Sequence, residues 1–172
     1  RREDDERSHA HSSVLAVCEN LRTPACIGTS LAMRLVLDTN VLVAAQRSGA
    51  GASALVLAAA RERKVTLLAS AALFVEYEAV LTREEHLSAA GASKDVVIAA
   101  LDALASIIEP VEIRFLWRPQ ASDPDDDMVL EAAVNGRADA LVTFEIATFA
   151  AAARSFGLDV MTPAEAWSKI IK

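Results

Sequence analysis

From position 34 onward the chain alternates between two patterns. Short apolar runs appear at 34–38 (RLVLD), 65–69 (VTLLA), 111–113, 140–143 (ALVT) and 159–161. Their length and β-branched content predict strands. Between them, apolar residues recur every three or four positions, the spacing of one helix face. Helices are predicted over 41–46 with Asn40 as cap, over 52–63, over 71–82 after Ser70, and over 94–108 between Ser93 and Pro110. Further helices are predicted over 125–137, over 146–156 up to Gly157, and after Thr162-Pro163. Ser48-Gly49-Ala50-Gly51 breaks the first pair, and 114–124 reads as a loop. Strands separated by helices indicate an α/β fold, a three-layer α/β/α sandwich around a central, mainly parallel sheet. Ligands of such sheets gather beyond the carboxyl ends of the strands.

Composition sharpens this picture. With 172 residues, 53% of them hydrophobic and 24% charged, the chain suits one domain with an ordinary core. Residues 1–32 break the pattern, opening on mixed charges with only a short apolar patch at 14–17. They lack the positive lead and apolar length of a signal peptide. They are expected to be an extension, either disordered or foreign to the natural protein, ahead of a domain over 33–172 that begins at Met33. No apolar run reaches the roughly 18 residues of a membrane helix, so a soluble, cytoplasmic protein is expected. Cys18 and Cys26 lie in the extension and read as ordinary thiols. The net charge of −7 excludes a broad basic surface of the kind that coats nucleic acid. It does not exclude an enzyme whose acids hold metal ions, because those ions then meet the phosphate.

Four places carry acids where a parallel sheet would gather them. Asp38 ends the first strand, in Leu37-Asp38-Thr39-Asn40, which also reads as a strand end with a helix cap. Glu76 lies on the buried stripe of its helix, where a lone carboxylate needs a partner or a metal; an edge position facing solvent is the alternative. Asp123, Asp125, Asp126 and Asp127 open a helix, and the helix dipole accounts for only one or two of them. Glu145, in Thr143-Phe144-Glu145, follows the fourth strand and also reads as a surface turn. Carboxylates and water suit hard dications such as Mg²⁺ or Mn²⁺. The domain has one histidine, His86, and no cysteine, which disfavours zinc.

These residues resemble the PIN-domain ribonucleases, the fold of VapC-type toxins of toxin–antitoxin pairs. The likeness is carried by LDTNVLVAA (37–45), by the helix bearing Glu76, by DPDDDMVLEAAVNGRADALVTF (123–144) and by FGLDVMTPAEAW (156–167). It implies a metal-dependent endoribonuclease using Mg²⁺ or Mn²⁺, with Asp38, Glu76 and Asp126 as ligands and catalytic acids. Asp127 is the rival for the third place, since the run of acids leaves the register open by one. Asn40 and Thr143 are implied as groups that orient a ligating carboxylate. Glu145 stands where members often carry Asp, and Thr148 where others carry a later Asp, which bears on a second metal. The resemblance further implies a cognate antitoxin that covers the acidic groove, and a homodimer, for which Leu42 and Val43 offer an apolar contact.

RNA contacts are expected from Arg47, Arg83, Arg114 and Arg118, with Trp117 as a stacking surface. An aspartyl phosphotransferase would need another acid where Asn40 stands, and the Ser48–Gly51 stretch lacks the Lys-Ser/Thr of a nucleotide loop. The remaining alternative is an impaired PIN-fold scaffold or regulatory protein.

Overall fold

The structure is a computed structural model that describes residues 32–116 and 124–172. The expectations for the extension, for Cys18 and Cys26, and for Trp117, Arg118 and Asp123 lie outside those residues. In chain order the elements are β1 (Met33–Leu37), α1 (Thr39–Arg47), α2 (Ala52–Arg61), β2 (Val65–Ser70), α3 (Ala71–Leu81), α4 (Glu84–Ala90) and α5 (Lys94–Ala105). Then follow β3 (Glu109–Val111), α6 (Pro124–Asn135), β4 (Ala140–Val142), α7 (Ile146–Ser155), β5 (Asp159–Met161) and α8 (Pro163–Ile170). The strands form one parallel sheet in the order β3-β2-β1-β4-β5. With helices flanking it, this is the expected three-layer α/β/α arrangement.

Burial explains the order. The last three residues of β1, the last four of β2 and all of β4 are buried without alternation, as in a sheet covered on both faces. Of the two edge strands, β3 is largely exposed, and β5 runs from exposed Asp159 to buried Met161. Pro110 sits inside β3, which an edge strand tolerates because one side of its ladder is open. The sequence placed this strand two residues later, at 111–113.

Two helices also depart from expectation. α4 was not anticipated; it is a short helix that starts with Glu84 and Glu85 and ends on Gly91 in the left-handed region, φ 60°. α1 starts one residue before Asn40, with Asp38 in the N-cap position, so Asn40 is not the cap. Its side chain is thereby released for another task. Ser70, Ser93 and Thr162 do cap α3, α5 and α8, the last with a reciprocal bond from Glu165.

The topology creates one special place. From β1 the chain builds outward through β2 to β3, then returns to add β4 and β5 on the opposite side of β1. The loops after β1 and β4 therefore diverge and leave a crevice at the carboxyl edge between neighbouring strands. The register holds that edge tight: Leu37 aligns with Val142, and the Asp38 amide donates to the Val142 carbonyl at 2.9 Å. Among the described residues no single helix is long and apolar enough to cross a membrane.

Gly136, just after α6, is required by close approach. A Cβ there would stand 2.7 Å from the Ala132 carbonyl oxygen and 2.8 Å from Val111 Cγ2. The first neighbour is backbone and cannot swing away. Gly136→Ala is expected to destabilise the fold by about 1–3 kcal/mol, read by urea unfolding. An unchanged midpoint would show that this contact relaxes freely.

Candidate active site

Asp38 is the first residue past β1, is 8% exposed, and lies at the strand crossover. Its Oδ2 accepts two hydrogen bonds, from Thr143 Oγ1 at 2.6 Å and from Asn40 Nδ2 at 2.7 Å. Thr143 follows β4, is fully buried, and has its amide tied to the Met161 carbonyl of β5 at 3.0 Å. Its hydroxyl oxygen accepts from the Glu145 amide at 2.9 Å and from Asn40 Nδ2 at 3.2 Å. With those donors in place, its one proton goes to Asp38. Asn40 is oriented as well: Nδ2 faces Asp38 and Thr143, while Oδ1 accepts from the Phe144 amide at 3.4 Å.

Tyr77 of α3, missed in the sequence, supports this from behind. It is 2% exposed, and its hydroxyl donates to the carbonyl of Leu37, the residue before Asp38. Burial, assisted by the Asp38 charge, pushes the phenol well above its usual range, so it stays a donor. An aromatic residue beside an acid on the buried face of a helix was the available signal.

Electrostatics at Asp38 are contested. Burial raises its pKa above the usual carboxylate value, and the Glu145 charge pushes the same way. The Thr143 hydroxyl and the Thr39 and Asn40 amides oppose the rise without cancelling it. The site thus holds a carboxylate whose charge is costly until a cation answers it.

A cleft of about 620 Å³ opens beside Asp38. Its walls include Asn40, Val43 and Arg47 of α1, Glu76 of α3, His86 of α4, Asp126 of α6, and Phe144 and Glu145 after β4. The acidic residues Asp38, Glu76, Asp126 and Glu145 thus come from four distant stretches to line one cleft. Asp127 does not line it; one residue further around α6, it is buried at 3% exposure. Glu131, one turn on from Asp127, is equally buried and was not singled out in the sequence.

Glu76 is half-buried rather than sealed on the apolar stripe, and Arg83 lies 3.8 Å from it. Arg114 pairs with Glu112, and neither Arg83 nor Arg114 lines the cleft. Arg47 does line it, as does Val43, while Leu42 is buried in the core. Phe144 is 54% exposed at the cleft wall, an aromatic that sequence reasoning passed over in favour of Trp117.

The donor set is all oxygen, which suits a hard dication. Among the described residues, however, no three acidic, histidine or cysteine side chains are grouped to hold a metal ion. The arrangement fits a hydrated ion held by one or two carboxylates and water, the usual habit of Mg²⁺, and does not fit a dehydrated protein cage.

The raised pKa of Asp38 has a definite sign. Between its ordinary and raised values the folded state holds the extra proton, so stability falls as pH rises through that window. Asp38→Asn keeps an oxygen for the two donors and removes the charge. At pH 7 it is expected to raise the melting temperature by about 2–4 °C, with no gain below the ordinary carboxylate range. Millimolar Mn²⁺ is expected to raise the melting temperature of the parent and leave the variant unmoved. Thermal melts with and without the ion check both; a variant less stable than its parent at pH 7 would contradict the electrostatic account.

No curated protein and no solved structure matches the chain. The family model described as PIN domain matches residues 34–147, well over half of the sequence, and spans all four cleft carboxylates. PIN domains are generally nucleases and usually use divalent metal ions. On fold, cleft and matched span alike, the chain belongs to the PIN-domain family.

Proposed function

We propose that this protein is a metal-dependent endoribonuclease, using Mg²⁺ or Mn²⁺ to hydrolyse RNA phosphodiesters. The observation that carries the reading is Asp38, buried at the strand crossover and oriented by Thr143 and Asn40, in a cleft shared with Glu76, Asp126 and Glu145. Asp38 and Asp126 are the residues to hold the ion, with Glu145 as the neighbour whose charge Asp38 already feels. The place of Asp126 on the cleft wall favours it over Asp127. When bound, such an ion supplies the positive charge an acidic cleft lacks toward phosphate, and makes water a better nucleophile at neutral pH.

The chain's own groups do the rest. Thr143 and Asn40 fix the direction of the Asp38 carboxylate, and hydrogen bonds to it favour its charged form. Glu76, on the facing helix, is placed to orient or deprotonate the attacking water, and its loose contact with Arg83 leaves it able to do so. Phe144 offers a flat apolar face at the wall on which an unpaired base stacks, which favours single-stranded substrates. The resemblance to VapC-type toxins supports a toxin role, with a cognate antitoxin over the acidic groove and a homodimer as the working form. One observation favours the second reading, an impaired PIN-fold scaffold: among the described residues no three ligands are grouped for a metal.

Purified protein incubated with total RNA and Mn²⁺ or Mg²⁺, with ends mapped by sequencing, separates the two readings. A nuclease gives discrete ends that EDTA abolishes. Asp38→Asn is expected to lower the rate by at least about 100-fold, and Thr143→Val by about 10–100-fold. A folded parent that leaves RNA intact with both ions, while Asp38→Asn melts like it, would leave the scaffold reading.

A further inference from the structure

The cleft has a second end. Asn40, Val43, Ala44 and Arg47 all line it, the spacing of one face of α1, so it runs along that helix from start to finish. The carboxylate end lies at Asn40. Arg47 lies seven residues further, about 10 Å along the axis at about 1.5 Å per residue. Arg47 is exposed, and its one side-chain hydrogen bond among the described residues runs from Nη2 to His86 Nδ1, at 3.0 Å. No carboxylate lies within ion-pair distance of it among those residues, unlike Arg34, Arg83 and Arg114.

A cation at a helix C-terminus is ordinarily explained by the dipole. That does not explain the partner. A guanidinium only donates, so His86 Nδ1 accepts and the ring is the Nε2–H tautomer. His86 is itself mostly buried and comes from α4, so its ring is a fixed post against which the Arg47 side chain rests. An ordered guanidinium with its remaining donors unused by acids, in a cleft whose other end is acidic, is built for an anion.

We infer that Arg47, positioned by His86, binds a backbone phosphate of the RNA strand away from the one being cut. This rests on the nuclease reading and deepens it. At the stacked rise of about 3.4 Å per nucleotide, the span from Asn40 to Arg47 covers about three nucleotides, fewer in an extended strand. Arg47 therefore sets a minimum length for tight binding and fixes the direction in which the strand lies. Arg47 is a binding residue and His86 a positioning residue.

The test uses fluorescein-labelled oligouridylates of two to eight nucleotides, bound to the full chain with native Asp38 in Ca²⁺, a hard dication that takes carboxylate oxygens, and read by anisotropy over a salt series. Affinity is expected to rise in a step once the strand reaches about three or four nucleotides. Adding Arg47→Gln should abolish the step, weaken eight-nucleotide binding on the order of tenfold, and reduce the salt slope by about one. Arg47→Lys should keep the slope and part of the affinity. His86→Phe should lower affinity while keeping the slope, since the charge remains but its post is gone. Thermal melts show whether each variant is folded; if the Gln variant is not, the Lys and Phe variants decide. A step and slope unchanged by Arg47→Gln, or no oligouridylate binding at all, overturns the inference. Cleavage with Mn²⁺ or Mg²⁺ in place of Ca²⁺ is scored separately, so failure of the nuclease reading is seen as absent cutting whatever the binding shows.

Discussion

The constraint behind the whole site is the holding of one negative charge where water scarcely reaches. Asp38 sits at the end of a central strand, and burial raises its pKa above the usual carboxylate value. Two neutral donors, Thr143 and Asn40, point their protons at the same carboxylate oxygen. Thr143 is 105 residues away in the chain and arrives only because β4 pairs with β1 in one register. A shift of one residue between those strands would turn the Thr143 hydroxyl to the other face of the sheet. The geometry of the acid therefore depends on the order of the sheet, and its burial leaves a charge that its neighbours only partly answer.

The same topology explains how an acidic protein addresses a polyanion. The net charge of −7 rules out attraction by the surface as a whole. Within the cleft, charge is instead divided along α1. Asp38 stands at its start, Arg47 at its end, and the exposed ring of Phe144 lines the same cleft. Under the proposed function, a strand of nucleic acid is gripped locally, by Arg47 and the Phe144 face, with a dication serving the acidic end.

Much of this was legible in the residues, and the reasons are specific. The strands around the crossover are runs of buried β-branched and leucine residues, which carry a strong signal because both faces are covered. Asp38 and Thr143 were visible because a polar residue directly after such a run stands at the carboxyl edge. Asp126 against Asp127 was not legible, since one residue on a helix is a turn of 100°, and only the packing of α6 decides which acid meets the cleft. α4 is too short to show a period, though Gly91 after two leading glutamates was a usable sign. The Asn40 error has a physical source: Asp38 and Asn40 are both cap-type residues, and the helix begins directly after the earlier one, without a side-chain cap bond. Tyr77 and the Arg47–His86 pair join elements far apart in sequence, so no local pattern announces them.

The central claim is that the burial of Asp38 is answered by a divalent ion. Diffraction from crystals soaked in Mn²⁺, collected for anomalous signal, tests it directly. The account requires a peak within about 2.0–2.6 Å of an Asp38 carboxylate oxygen, on the cleft side, with waters completing its shell and Asp126 or Glu145 beside it. A peak only at other surface acids, with the Asp38 carboxylate bound to nothing but Thr143 and Asn40, would contradict it.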